Sequence, residues 1–215
     1  MVQVKVVTGY VPIADHPRSP KEYGALGEKL RELKTPVQPF YQAVTSCWLY
    51  QMIEQLPFGP TWSVADNPQK NTLAYHCANH EKFRWLYEAA RMDQEPDVFV
   101  WIDYGIMHVP GVTSAVINAM LDRVRKDDLA IPGCWPVGQI DDARPCWRFC
   151  GGLMVVPREY VQPLKNLIQA ITMLHVNVTK NVTWEVNSLA RAEQSGKLPF
   201  RWYAADHNET MFANY

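Results

Sequence analysis

The sequence predicts an α/β fold with three layers, α/β/α, in which helices cover both faces of a mainly parallel central sheet. Two observations predict it. The run Val98-Phe99-Val100-Trp101-Ile102 is apolar without alternation, as expected of a strand buried on both faces in the middle of a parallel sheet. Strand-like and helix-like segments then alternate through the first part of the chain before a more mixed half, the pattern of a layered α/β domain. The chain has 215 residues, enough to bury a substantial core.

The elements follow in order. Val2 to Val7 reads as a first strand ending at Thr8-Gly9-Tyr10. Ser19-Pro20-Lys21-Glu22 is a capping box with proline at the first helical position. The helix it opens carries Tyr23, Leu26, Leu30 and Leu33 on one face and stops at Thr35-Pro36. Val37 to Tyr41 reads as a short strand, Thr45 to Gln55 as a helix, and Thr61 to Ala65 as strand-like. Asn71 to Met92 is a long helix with Phe83, Leu86, Tyr87 and Ala90 toward the core, and it leads into the strand 97–103. Thr113 starts a helix striped by Val116, Ile117, Met120, Leu121 and Val124. Leu129 to Gly133 is a strand, followed by a loop to Pro145, and Phe149 to Val156 is a strand interrupted by Gly151-Gly152. Tyr160, Leu164, Leu167, Ile168 and Ile171 mark an amphipathic helix. A further helix over about Val182 to Gln194 precedes a strand-like Phe200 to Ala204 and a polar end. With no repeat, low-complexity tract or linker, residues 1–215 read as one domain.

Composition narrows the functional classes. A net charge of −1 gives no basic footprint for nucleic acid or an acidic membrane surface. No apolar run reaches the ~18 residues of a membrane span, and the N-terminus lacks the pattern of a signal peptide. The expected location is cytoplasmic, and the sequons at Asn177, Asn181 and Asn208 carry no weight there. Five cysteines do not suggest a disulfide scaffold. Cys134, Cys146 and Cys150 cluster loosely, at a spacing that matches no common zinc motif. The standard glycine-rich dinucleotide and P-loop phosphate cradles are absent.

Asp103 is the first candidate site residue. In open α/β sheets ligands bind beyond the carboxyl ends of the strands, and a carboxylate there is costly to bury unless paired, hydrogen-bonded or on a metal. Three further segments stand out: Phe149-Cys-Gly151-Gly152-Leu-Met154, Trp184-Glu185-Val-Asn187 and Asp206-His207-Asn208. In their order along most of the chain, these segments and Trp101-Ile-Asp103-Tyr-Gly105 resemble the GT-A-type nucleotide-sugar glycosyltransferases. Within that class they are most similar to small families such as the HtrL/YibB-like proteins, with their tryptophan-rich strand ending in an aspartate.

The resemblance implies a Rossmann-like GT-A fold, with a nucleotide-binding half at 1–106 and an acceptor and catalytic half at 107–215. It implies transfer of a sugar from a nucleoside diphosphate donor, UDP before GDP, to a saccharide or glycan hydroxyl. Asp103 matches the first position of the D-x-D motif, and Gly105 stands where the second aspartate would be. Asp103 and His207 are the implied ligands of a Mn²⁺ or Mg²⁺ ion, whose charge a diphosphate leaving group needs. Gly151 and Gly152 match the glycine pair that lets the backbone approach the donor sugar. Thr8, Gly9 and Tyr10 fall where base and ribose bind, Asp66 is placed to accept from a uracil N–H, and Arg18 and Lys82 are diphosphate contacts. Glu185 is the implied carboxylate of the transfer, as a base on the acceptor or as a stabiliser of an oxocarbenium-like centre. Asp142, with Asp141 beside it, is the rival base.

Two other classes compete. His76 and His80 lie at i, i+4 on one helical face, the spacing of two zinc ligands in a hydrolase, without the intervening glutamate of that motif. A non-catalytic nucleotide-sugar-binding module would also lack the second aspartate.

Overall fold

The computed structural model describes residues 2–14 and 17–215. In chain order the described elements are β1 (Val4–Tyr10), α1 (Pro20–Glu28), β2 (Val37–Tyr41), α2 (Trp48–Glu54), β3 (Thr61–Trp62), α3 (Leu73–Met92) and β4 (Val98–Ile102). They continue with α4 (Ser114–Leu121), β5 (Ala130–Gly133), β6 (Leu153–Pro157), α5 (Arg158–Thr179), β7 (Asn181–Val182), α6 (Glu185–Gln194), β8 (Arg201–Ala204) and α7 (Thr210–Ala213).

Six strands form one sheet in the order β2-β1-β4-β6-β5-β8. β6 runs antiparallel to both its neighbours, and the pairs β1–β2, β1–β4 and β5–β8 are parallel. The sheet is therefore mainly parallel, with one reversed strand at its centre. β3 and β7 make a separate two-stranded ribbon. β4 is buried at every position and splits its side chains by the period of two of a strand. Phe99 and Trp101 enter the core beneath α2, α3, α5 and α6, while Val98, Val100 and Ile102 enter the core beneath α4, α7 and the segment after α1 that carries Leu30 and Leu33. Those two cores are the two faces of the three-layer fold.

Local signals place the helices. Ser19 Oγ accepts from the Glu22 amide and the Glu22 carboxylate accepts from the Ser19 amide, so the expected capping box closes around α1. Thr72 caps α3 by accepting from the Tyr75 amide, and Thr113 caps α4 by accepting from the Val116 amide. At the far end of α3, the Arg158 guanidinium binds the carbonyls of Ala90, Asp93 and Pro96, which fixes the turn into β4.

Several boundaries differ from the sequence reading: the first helix ends at Glu28, α2 starts at Trp48, β3 stops at Trp62, α4 ends at Leu121 and α6 starts at Glu185. Three others have a direct physical reason. β1 runs on to Tyr10 because Thr8, Gly9 and Tyr10 pair with Pro39, Phe40 and Tyr41 of β2. The strand expected from Phe149 starts only at Leu153, because Gly151-Gly152 forms a turn at its mouth. The polar end contains a one-turn helix, α7, whose Met211 and Phe212 are buried. Such a short helix leaves no periodicity to read. Among the described residues no helix is long and apolar enough to cross a membrane.

Candidate active site

A cleft of about 340 Å³ opens where β1 and β4 end and β6 begins. Reversal of β6 makes this convergence possible, since its first residues lie beside the last residues of β4, with Ile102 opposite Leu153. Gly9 and Tyr10 from β1, Asp103 and Gly105 after β4, Gly151 and Gly152 before β6, and Glu185 at the start of α6 all line it. So do Tyr75, Asn79 and Lys82 from one face of α3, and His207 from the segment after β8. A crevice beyond the carboxyl ends of strands is the general ligand position of open α/β sheets.

Lys82 organises the floor. Its side chain is 1% exposed. Its Nζ donates to the Gly151 carbonyl at 2.8 Å and to Glu185 Oε1 at 3.1 Å, and lies 3.6 Å from Asp103 Oδ1. The Trp101 ring centroid is 5.7 Å from Nζ. Trp101 Nε1 also donates to Asp103 Oδ1 at 2.7 Å, and the Asp103 amide donates to the Gly152 carbonyl at 3.0 Å. Burial penalises the Lys82 ammonium, yet Asp103 and Glu185 outweigh it and raise its pKa above the ordinary lysine value. Burial likewise penalises the Glu185 carboxylate, and Lys82 and His80 more than compensate, so its pKa falls below the ordinary value. One ammonium between two carboxylates leaves a net negative charge facing the cleft. Asp103 retains 40% of its side chain exposed there, while Glu185 retains 8%.

Absent side chains shape this cluster. A Cβ on Gly151 would sit 2.3 Å from Glu185 Oε1 and 3.2 Å from Lys82 Nζ. The space the glycine vacates thus holds the Lys82–Glu185 pair. A Cβ on Gly9 would lie 2.2 Å from the Trp85 ring, so α3 packs onto β1 only because that position is bare. At Gly105 a Cβ would lie 2.6 Å from Cε1 of Tyr23. The space that a side chain at residue 105 would need is therefore filled by a tyrosine ring from α1.

The remaining sequence candidates divide. Tyr10 and Arg18 line the cleft. Tyr10 stacks on Tyr104 at 5.3 Å between centroids and lies 5.5 Å from Tyr23. Four candidates are not brought into the cleft. Thr8 is buried and borders a separate small cavity with Gly27, Leu30 and Val37. Asp66 sits in the exposed loop before α3 at φ 68°, a left-handed turn position that aspartate tolerates. Asp142 accepts from Arg191 through both carboxylate oxygens at 2.7 Å and lies 3.8 Å from His175 Nδ1. Asp141 accepts from the Ala143 amide within the same loop.

Sequence reasoning missed Lys70, Tyr75 and Trp85, which line the cleft, whereas Trp147, read from the sequence as able to face acceptor or sugar, does line it. Lys70 lies over the Tyr75 ring at 4.9 Å, and burial lowers its pKa despite the pull of Asp103 and Glu185. Tyr75, Asn79 and Lys82 recur at helical spacing, which is the one signal that could have grouped them.

The two α3 histidines are turned away from a shared ligand. His76 Nε2 donates to the Ser63 carbonyl at 2.8 Å, and His80 Nδ1 donates to its own helix at the His76 carbonyl at 2.9 Å. His80 Nε2 then accepts from Ser188 Oγ at 3.4 Å. His80 is fully buried, and burial lowers its pKa to about 4, so it is neutral at pH 7. Each ring spends its donor N–H on backbone, as packed core histidines do.

A hard divalent ion fits this cleft sparingly. Asp103 Oδ1 is occupied by Trp101 and Lys82, which leaves Oδ2 as the available carboxylate oxygen. Mg²⁺ and similar ions are often held by one or two carboxylates, with phosphate oxygens and water completing the shell. His207 lines the same cleft, but its Nδ1 faces Cys134 Sγ at 3.6 Å.

Together the strand order, the single reversed strand and the cleft at the strand ends define a GT-A-like, Rossmann-like α/β fold. The chain is similar to the crystal structure of a glycosyltransferase involved in the glycosylation of the major capsid of PBCV-1, with a TM-score of 0.53 and 12% identity over 94% of this chain and 81% of that one. Looser likenesses are to mouse xyloside xylosyltransferase 1 in its apo form (TM-score 0.48, 10% identity, 94% and 85% covered) and to 4-diphosphocytidyl-2C-methyl-D-erythritol synthase from Anaerococcus prevotii (0.43, 10%, 96% and 88%). No family model matches the sequence, and no curated protein shows significant similarity to it.

Proposed function

We propose that this protein is a glycosyltransferase that moves a sugar from a nucleoside diphosphate sugar, UDP-linked by preference, to a saccharide hydroxyl. The observation that carries the reading is the Lys82–Asp103–Glu185 cluster, whose surplus negative charge faces a cleft at the strand ends of a GT-A-like fold. Kinship with HtrL/YibB-like families belongs to the same reading and rests on motif order alone.

The roles follow from position. Tyr10, on its aromatic platform, takes the face of the base. Arg18 and Lys70, both on the cleft wall, face the diphosphate. Lys82 is saturated by its three partners and so acts by holding the two carboxylates in place. Asp103 Oδ2 is the protein oxygen available to a Mg²⁺ or Mn²⁺ ion. Such an ion supplies charge neutralisation to the leaving diphosphate. Glu185 has a lowered pKa and already accepts from an ammonium, which makes it a weak proton acceptor and a durable anion. It therefore suits stabilisation of positive charge at the anomeric carbon better than deprotonation of the acceptor. Asp142, tied to Arg191 outside the cleft, serves that loop.

A thermal-shift screen of UDP- and GDP-sugars, each with and without Mn²⁺, tests the reading. A donor at 100 times its Kd stabilises the fold by roughly 2.7 kcal/mol, a visible rise in Tm. The expected result is a shift with UDP-sugars that Mn²⁺ enlarges and that Asp103→Asn reduces. No shift with any nucleotide sugar overturns it. Binding without transfer to any acceptor would favour a binding module.

A further inference from the structure

We propose that Cys134, Cys150 and His207, with Asp206 as the fourth ligand, form a zinc site that ties the segment after β8 to the sheet at the rim of the cleft. The site is independent of what the cleft binds.

The geometry is that of a tetrahedral thiolate–imidazole site. One ligand atom from each of Cys134, Cys150 and His207 lies within 4.8 Å of the others. The two sulfurs are 3.6 Å apart, and Cys134 Sγ is 3.6 Å from His207 Nδ1. Zn–S bonds of about 2.3 Å and Zn–N bonds of about 2.0–2.1 Å at tetrahedral angles require ligand separations of about 3.8 Å for S···S and about 3.6 Å for S···N. These two edges therefore need almost no adjustment to accept the ion, and the third, from Cys150 to His207, lies within 4.8 Å. Asp206 Oδ1 lies 3.7 Å from Cys134 Sγ and 3.9 Å from His207 Nδ1. Its side chain is 76% exposed, so it can swing to close the fourth position.

The backbone brings these ligands together without help from an ion. Cys134 follows β5, Cys150 precedes β6, and His207 follows β8, three adjacent strands of the sheet. The Cys134 amide donates to the Trp147 carbonyl at 2.9 Å, the Cys150 amide to Pro132 at 2.7 Å, and the Ala205 amide to Gly133 at 3.0 Å. Preorganised ligands of this kind lose little freedom on binding. Two thiolates select zinc over the hard ions that a diphosphate prefers. The site is thus chemically distinct from one at Asp103. The His207 ring also packs edge-on against Trp147 at 4.6 Å, and both residues line the cleft. An ion bound here would fix that wall.

The test uses the full chain purified anaerobically with reductant and washed with a weak chelator. Elemental analysis is expected to find about one zinc per chain. Replacement by Co²⁺ should give thiolate charge-transfer absorption and tetrahedral d–d bands, a readout that needs no variant to fold. Cys134→Ser, Cys150→Ser and His207→Ala should each lose most of the metal. Cys146→Ala, buried in the preceding loop outside the cluster, should keep it. Protein that takes up no metal on reconstitution overturns the proposal, as does a Co²⁺ spectrum without thiolate bands, metal retained in Cys134→Ser, or a Cys134–Cys150 disulfide in the anaerobic preparation.

Discussion

Lys82 lies at the centre of the site, buried between two carboxylates and a carbonyl. Removing one partner of a buried pair leaves an uncompensated charge, at a cost of about 3–5 kcal/mol. Lys82→Met is therefore expected to lower unfolding free energy in urea by about that amount at pH 7. Adding Glu185→Gln should recover part of the loss. A purely additive double variant would show that the two side chains are not energetically coupled. Glu185→Gln alone should lower kcat by about 10²–10³-fold, the scale of losing one preorganised electrostatic group, with donor affinity almost unchanged. Asp103→Asn should fold normally and lose most activity even at saturating donor.

The same pair sets a pH dependence. The folded-state pKa of Glu185 lies below its ordinary value. Its contribution is therefore complete above that ordinary value and is lost as pH falls toward the lowered folded value. The Tm of the native protein should drop through the acid range more steeply than that of Glu185→Gln. Parallel profiles would remove Glu185 from the linkage. Asp103 is legible in the sequence because a carboxylate that closes a wholly apolar strand needs a partner or a ligand to offset its burial. The role of Lys82 is not, since nothing in a helix sequence reveals which of its cations will be buried.

At the scale of elements, the contact of α1 with the loop after β4 leaves no room for a side chain at residue 105. Gly105→Asp inserts a side chain into the Tyr23 ring, and overpacking of this kind costs about 1–3 kcal/mol. The variant is expected to lose stability without gaining Mn²⁺ affinity in calorimetric titration. Combined with Tyr23→Ala, it should recover stability. Tighter Mn²⁺ binding by Gly105→Asp alone would mean that the tyrosine yields easily. The capping box of α1 and the threonine caps of α3 and α4 are legible because they are local. The Gly151-Gly152 turn is legible as glycine but not in its cause, because Glu185 comes to fill that space from a helix much later in the chain.

Across the whole molecule, the three-layer arrangement is legible because β4 is apolar on both faces, and each face finds its own helices. Strand order is not, for it depends on pairings between distant segments. The Asp142 loop and the Thr8 face show the same limit. Thr8 and Asp142 are themselves candidate site residues in the sequence, and tertiary packing turns both elsewhere.

The reversed central strand also has a kinetic consequence. β6 has to find β4 across the whole excursion from Ile102 to Leu153, β4 has to find β1 from Val98 back to Val4, and β8 joins β5 across Ala130 to Arg201. Mean sequence separation of contacts sets folding speed in small domains, because loop-closure entropy is lost before long-range contacts form. This sheet is dominated by such closures, and its last strand docks from the far end of the chain. Refolding followed by tryptophan fluorescence is expected on the millisecond-to-second scale or slower. A chain emerging from the ribosome keeps the β5 edge exposed until residues 201–204 are free.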